Sequence, residues 1–241
     1  MKQVLLFCAF MSLFLLSIMQ TGCAKNPEGC VFYPDPLSDE EQNICEVADP
    51  LEPINRVIFV FNDKFYMWVL EPINENVYKK IPEPARDCIG NFFYNLFAPV
   101  RIIGAIMQGK GETAGLTTNE FVNNSLFGIA GIFRPAKFNP PDEEDLDQGL
   151  AHWGFGEGFY IVWPIFGPKT LRSSFGSIGE YFISPTKYTA SNERFILQST
   201  DSVDLWNEFS PTYKSITEGS IDEYTSLKKA YVERQRERLR E

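Results

Sequence analysis

The stretch DPLEPINRVIFVFNDKFYMWVL, Asp49 to Leu70, decides how the rest of the chain is read. Asp49 is placed to cap a helix with Pro50 at its first position. There the missing proline N–H costs nothing and the fixed φ suits the first turn. From Ile54 to Leu70 no glycine or proline intervenes, so this run reads as one helix. Seven residues make nearly two turns, which brings Asn55, Arg56, Asn62 and Asp63 onto one face, with Phe59 and Tyr66 between them. Val57, Ile58, Phe61, Phe65 and Trp68 fill most of the remaining arc. A surface helix of a water-soluble protein shows the reverse balance, a limited apolar stripe on a polar cylinder.

Working outward toward the C-terminus, Pro72 interrupts and Ile73 to Ile81 reads as a short helix. Pro82-Glu83-Pro84 opens a helix over Ala85 to Phe97, with Asn91 and Asn95 one turn apart. Pro99 starts another over Val100 to Gln108, and Gly109 is its C-cap. Glu112 to Leu126 forms the next, and Gly128-Ile129-Ala130-Gly131 lets backbones approach closely. Helix after helix with Pro or Gly joints predicts a single all-α body over 49–241. Asn139 to Asp145 is an acidic, Pro-containing loop. Gly149 to Gly179 then holds 7 of the 17 glycines, interleaved with Trp153, Phe155, Phe159, Tyr160, Trp163 and Phe166. This is a Gly- and aromatic-rich, hairpin-like insertion, and Gly154 to Gly158 cannot be a stable helix. Two readings stand for it: an ordinary packed loop, or a flexible apolar segment that touches lipid. Helices return at Asn192 and end in the charged run Lys228 to Glu241, a solvated helix with a basic bias suited to an acidic partner.

Toward the N-terminus, Lys2 precedes an apolar run from Val4 to Ile18, and Gln20-Thr21-Gly22-Cys23 follows. The run is too short to span a bilayer comfortably. With a small residue before the cysteine it reads as a lipoprotein signal peptide over 1–22. Cys23 is the expected lipid attachment site, and 23–48, polar and Pro-containing, a flexible tether. Ala24 stands where an aspartate would be the usual inner-membrane retention signal, so sorting to the outer membrane is expected. Export implies an oxidising compartment, in which Cys30 and Cys45 are able to close a disulfide loop. Cys88 is left over, expected to be buried in a helix as a small hydrophobe.

The formal net charge of −10 argues against nucleic acid, which needs clustered Lys and Arg. The 21 Phe, 10 Tyr and 4 Trp suit apolar grooves and membrane interfaces. A search for chemistry returns little. With His152 the one histidine and no Cys-x-x-Cys pair, no zinc site is expected. The acidic run from Asp142 lacks calcium-loop spacing. Neither a dinucleotide fingerprint nor a phosphate loop is complete, so no cofactor is expected. No Gly-x-Ser-x-Gly elbow surrounds Ser174. No catalytic residue is therefore assigned, and a lipid hydrolase using Ser174 or Ser177 with His152 is the weakest alternative.

Several blocks together resemble the MlaA/VacJ lipoprotein family. They are Asp49 to Arg56, Ile81 to Asp87, Asn91 to Leu96, Pro99, Gln108-Gly109, Asn124 to Gly131, Gly154 to Tyr160, and Pro164 to Arg172. The resemblance covers about Asp49 to Tyr188. It implies a ring of amphipathic helices lodged in one leaflet of the outer membrane, lipid-anchored on its periplasmic face. Phospholipid would pass from the outer membrane toward a soluble periplasmic carrier, preserving lipid asymmetry, beside a porin trimer. Asn55, Arg56, Phe61, Asn62, Asp63, Phe155 and Tyr160 are the expected walls of the lipid path. Two positions depart from the family pattern: Arg134 and Ser173 stand where an aspartate is usual, and either change could remove a cap or an ion pair. A surface scaffold lipoprotein that transports nothing is the main alternative function.

Overall fold

The computed structural model describes residues 47–138 and 144–240. The signal peptide, Cys23, Ala24, Cys30, Cys45 and nearly all of the tether lie outside the described residues. The helices are α1 (Glu52–Phe65), α2 (Glu71–Asn76), α3 (Glu83–Leu96), α4 (Ala98–Met107), α5 (Gly111–Phe127), α6 (Leu146–His152), α7 (Leu171–Ile183), α8 (Ser191–Thr217) and α9 (Glu223–Arg240). Strands β1 (Tyr160–Trp163) and β2 (Gly167–Thr170) form an antiparallel hairpin with Tyr160 opposite Thr170. The helices pack in a closed circuit: α8 against α3, α3 against α4, α4 against α6, α6 against α9, and α9 back against α8.

Pro72 does not break the first rod. Tyr66–Leu70 widens into a π-helical turn, in which the Glu71 N–H reaches back to the Tyr66 carbonyl, and α2 continues from it. A widened turn accommodates a ring that would otherwise strike the preceding carbonyl. Asp49 is likewise not the helix cap. Leu51 precedes α1 and Pro53 sits in its first turn. The Asp49 carboxylate instead accepts from Asn55 Nδ2 at 2.8 Å, from Lys228 Nζ at 3.2 Å and from the Tyr224 hydroxyl.

α3 and α4 meet at a bend of 44°. Pro84 and Pro99 each lie within a first turn, where their missing N–H groups are harmless, so both helices start about two residues earlier than expected. Among the described residues no single helix is long and apolar enough to cross a membrane, although the bent α3–α4 pair passes on length and composition.

The Gly-rich stretch contains two helices that composition hid. A Cβ on Gly149 would lie 2.9 Å from the Met107 Cβ, and one on Gly176 would lie 2.9 Å from the Asp147 N. These glycines serve close packing of α6 against α4 and α7 rather than loop freedom. Both helices start with reciprocal caps, Asp145 with Gln148 and Thr170 with Ser173. Ser173 therefore completes a cap, and its hydroxyl also lies 2.9 Å from that of Tyr231.

The principal apolar core gathers around β1. It comprises Phe59 from α1, Tyr160 and Val162, Trp206 and Tyr213 from α8, and Tyr224, Leu227 and Val232 from α9. The charged C-terminal run is thus only partly solvated. Its Arg236 pairs with Glu157 at 3.4 Å and Arg238 with Asp145 at 2.9 Å, so its basic bias is answered within the chain. Cys88 is a free thiol, half-buried on α3.

Candidate functional site

α1 shows how the surface is organised. Asn55 Nδ2 donates to the Tyr160 carbonyl at 3.1 Å while its Oδ1 accepts from the Val162 N–H at 2.9 Å. Two turns on, Asn62 repeats the device: Nδ2 to the Trp163 carbonyl at 2.9 Å, and Oδ1 from the Ile165 N–H at 2.7 Å. Two asparagines seven residues apart thus run alongside a strand and satisfy backbone groups left unpaired at its edge. Tyr66 adds a fifth bond, its hydroxyl to the Ile165 carbonyl at 2.7 Å. Burial pushes that phenol up to about 12. The opposite face of α1 is apolar and exposed, with Ile54, Val57 and Phe61 more than half open, as is Trp68 in the widened turn that follows.

This inversion recurs around the circuit. Buried side chains include Glu120, Glu144, Asp147, Arg172, Asn74, Asn95 and Asn124, while Phe127, Trp153, Phe166, Phe182, Tyr188 and Phe195 stand exposed. The Arg172–Asp147 pair is almost fully enclosed, with Nε to Oδ1 at 2.7 Å, and Arg172 Nη1 also donates to the Phe155 carbonyl at 3.2 Å. Glu144 accepts from Lys110 at 2.6 Å and from Gln108 at 2.5 Å. Large apolar side chains exposed in this number, on a body that buries charged groups, mark a surface made for a membrane or a partner.

Between α3, α4, α5 and the following loop lies an open cleft of about 250 Å³, lined by Phe92, Asn95, Leu96, Pro99, Phe121, Ser125, Ala130 and Pro185. The loop is held in a strained shape. Ile129, Ala130 and Gly131 all have positive φ, and a Cβ on Gly131 would lie 2.2 Å from the Asn95 Cβ. Asn95 Nδ2 donates to Ser125 Oγ at 2.9 Å, and Asn124 bonds the Ala136 backbone in both directions at 3.0 Å. Arg134, at the loop's far end, donates to the buried Glu120, so this departure creates an ion pair.

The expected path residues are only partly brought together. Tyr160 belongs to the core: its ring is 1% exposed against Tyr224 and Tyr231, so it cannot touch a path, and Asn55 is equally enclosed as a seam between α1 and β1. Arg56 forks onto Asp222, at 3.0 and 2.7 Å, 4.5 Å over the Tyr224 ring. The hydrogen bonds with Arg56 hold the Asp222 carboxyl well below the usual carboxylate range. Asp63 accepts from Tyr213 at 3.1 Å and Phe61 stacks on Phe65. Phe155 stands apart beside Arg172.

The hydrolase alternative finds no support in geometry. Ser174 Oγ donates to the Thr170 carbonyl at 2.8 Å and accepts from the Trp163 indole at 3.0 Å; Ser177 accepts from Lys169 at 2.7 Å. A serine nucleophile needs a base within hydrogen-bond reach, and these partners leave His152, exposed at the end of α6, outside both arrangements.

The model of the MlaA lipoprotein family matches residues 47–238. The chain belongs to the MlaA lipoprotein family. Among proteins similar to it is the Haemophilus influenzae intermembrane phospholipid transport system lipoprotein MlaA, 28% identical over 68% of this chain and 63% of that protein. The chain thus matches less than two thirds of that relative's length. The Escherichia coli K12 lipoprotein of the same name is 26% identical over 78% of this chain and 76% of its own. A solved structure, from work on the structural basis for maintenance of bacterial outer membrane lipid asymmetry, superimposes with a TM-score of 0.68 at 26% identity. It covers 78% of this chain and 96% of that one. The fold is thus shared with that solved structure over most of the chain.

Sequence reasoning missed the cleft, and also the contacts of Arg101 and Arg134 with the Tyr94 ring and of Arg134 with Glu120. One signal was present: Glu120 is one of only two charges in α5, on a helix otherwise neutral.

Proposed function

We propose that this MlaA-family chain is a lipid-anchored component of the outer membrane that passes phospholipid toward a soluble periplasmic carrier and so preserves lipid asymmetry. The observation that carries this is the surface: large aromatic and aliphatic side chains stand exposed around the circuit while many polar and charged side chains are buried. A body seated in one leaflet needs such an exterior, because acyl chains cannot satisfy polar groups. A phospholipid crossing it needs an interior whose walls match both its ends.

The anchor belongs on Cys23 and the folded body on the periplasmic side of the membrane. Asn62 and Asp63 shape the path by fixing the hairpin and α8, Phe61 offers a ring to acyl chains, and Arg56 and Phe155 stand at its margins. A porin trimer as neighbour and a soluble lipid carrier as acceptor follow from the family resemblance. Transport of this kind breaks no bond, so no catalytic group is required.

Deleting the gene tests the reading. Phospholipid should accumulate in the outer leaflet, be cleared by the wild-type chain and persist with Cys23→Ala. An unchanged outer leaflet in the deletion strain overturns the transport reading.

A further inference from the structure

Among the described residues five asparagines are buried. Asn55, Asn62 and Asn124 each bond backbone through both amide atoms, and Asn95 donates to Ser125. Asn74 is the exception. It is 0% exposed, yet neither its Nδ2 nor its Oδ1 has a hydrogen-bond partner among the described residues. Enclosing an amide strips its hydration, and buried polar groups recover that loss from the protein or from ordered water. We infer that Asn74 holds internal water between α2 and α8, and that this water also bonds the backbone of α8 where Pro211 opens it.

The contact that encloses Asn74 is fixed on both sides. Glu71 precedes Asn74 by three residues and Tyr78 follows it by four, the spacing of neighbours on one helix face. Glu71 accepts from Trp206 Nε1 at 2.8 Å and from Lys214 Nζ, and Tyr78 donates to Asp204. α2 packs on α8, so Asn74 is shut in between these bonded positions. On α8, Asn207 falls between Asp204 and Lys214 and on the same side of the helix. Pro211 lies inside α8 and has no N–H, so the Asn207 carbonyl loses its helical donor. Water both accepts and donates, so it serves Nδ2, Oδ1 and this carbonyl together, and about three partners is usual for a buried water. The amide is neutral, and the carboxylates beside it are already bonded, so the site suits a small neutral ligand rather than an ion. Its complete enclosure suits water rather than an organic molecule. The α2–α8 contact is then a hydrated joint, unlike the direct asparagine seams of α1.

The full-length protein in detergent micelles, with isotope-labelled asparagine, tests this. Water-selective NMR should show magnetisation passing from water to the Asn74 side-chain amide and not to those of Asn55 or Asn62. Its cross-peak should have opposite signs in NOE and ROE transfer, which marks a held water rather than proton exchange. Asn74→Leu should expel the water, strand the Asn207 carbonyl and lower the unfolding temperature by about 3–6 °C. Pro211→Ala returns an N–H to that carbonyl, so in its background Asn74→Leu should lose less than half as much. A missing cross-peak in the parent chain overturns the inference, and that measurement needs no variant to fold. A higher unfolding temperature for Asn74→Leu also overturns it, because the amide would then be buried without any partner. Equal losses in the two backgrounds overturn the bridge to α8.

Discussion

Around the hairpin, the interior is filled by Val162 and by Phe59, Tyr160, Trp206, Tyr213 and Tyr224, whose rings meet edge-on or tilted with centroids 5.6 to 6.1 Å apart. Between α4, α6 and α7 the same task falls to Asp147, Arg172, Glu144, Gln148 and the glycines 149 and 176. The first region is held by burial of area, which tolerates small errors of fit. The second is held by paired charges with backbones in near contact, which tolerates neither loss of a partner nor an added methyl. A chain with its greasy side chains turned outward has few left for a second apolar core, and this half is built without one.

The largest effect should come from breaking the enclosed pair. Asp147→Ala leaves the Arg172 guanidinium buried without its carboxylate, a loss of about 3–5 kcal/mol. Asp147→Leu with Arg172→Met should recover most of it. Thermal unfolding in detergent measures both. A near-neutral Asp147→Ala would mean that the polar half is not held by its charges.

Next is the seam joining the regions. Asn62→Leu leaves the Trp163 carbonyl and the Ile165 N–H without their partner, costing about 1–3 kcal/mol. The cost should be local, so amide exchange at Ile165 should accelerate by about tenfold or more while α6 and α7 stay protected. Uniform acceleration through the whole chain would show that the hairpin and the polar half unfold as one unit.

A smaller effect, on pH dependence, belongs to Asp201 on α8. Partial burial and the neighbouring Asp204 raise its carboxyl from 3.8 to about 6. A raised folded-state value means that the folded chain binds more protons between about pH 4 and 6. Stability therefore falls as pH rises through that window and stays lower above it. Asp201→Asn should be about 1 kcal/mol more stable than the parent at pH 7, after allowance for solvent screening, and equal to it near pH 3. Denaturant titration at the two pH values decides this.

The same contrast explains what the sequence disclosed. α1, α3, α4 and α5 were legible because their apolar residues recur at helical spacing and their ends carry Pro or Gly. α6 and α7 were hidden because Gly149 and Gly176 look like loop residues until the backbone they touch is known. Asn55 and Asn62 were correctly placed on one face, yet their partners, the backbone of 160–165, lie a hundred residues away. The family blocks carried the family assignment, whereas the meeting of Arg101 and Arg134 on the Tyr94 ring depended on separate segments coming together, which no local pattern encodes.

The smallest expected change in stability is also the most direct test of the outward-facing surface. Trp68 is 73% exposed at the end of the α1 rod, and Phe166 is 80% exposed at the hairpin tip. Neither side chain holds the fold, so Trp68→Ser and Phe166→Ser should shift unfolding by no more than about 0.5 kcal/mol. If these rings lie in acyl chains, each should contribute about 1.5–3 kcal/mol of burial on insertion, which is roughly tenfold to a hundredfold in partitioning. Acylation at Cys23 would mask such a loss, so the measurement belongs in a Cys23→Ala background, with flotation on phosphatidylethanolamine–phosphatidylglycerol vesicles. The double variant should leave the vesicles while melting at the parent's temperature. Unchanged flotation would assign the exposed rings to a protein partner instead, and a large drop in melting temperature would assign them to the fold.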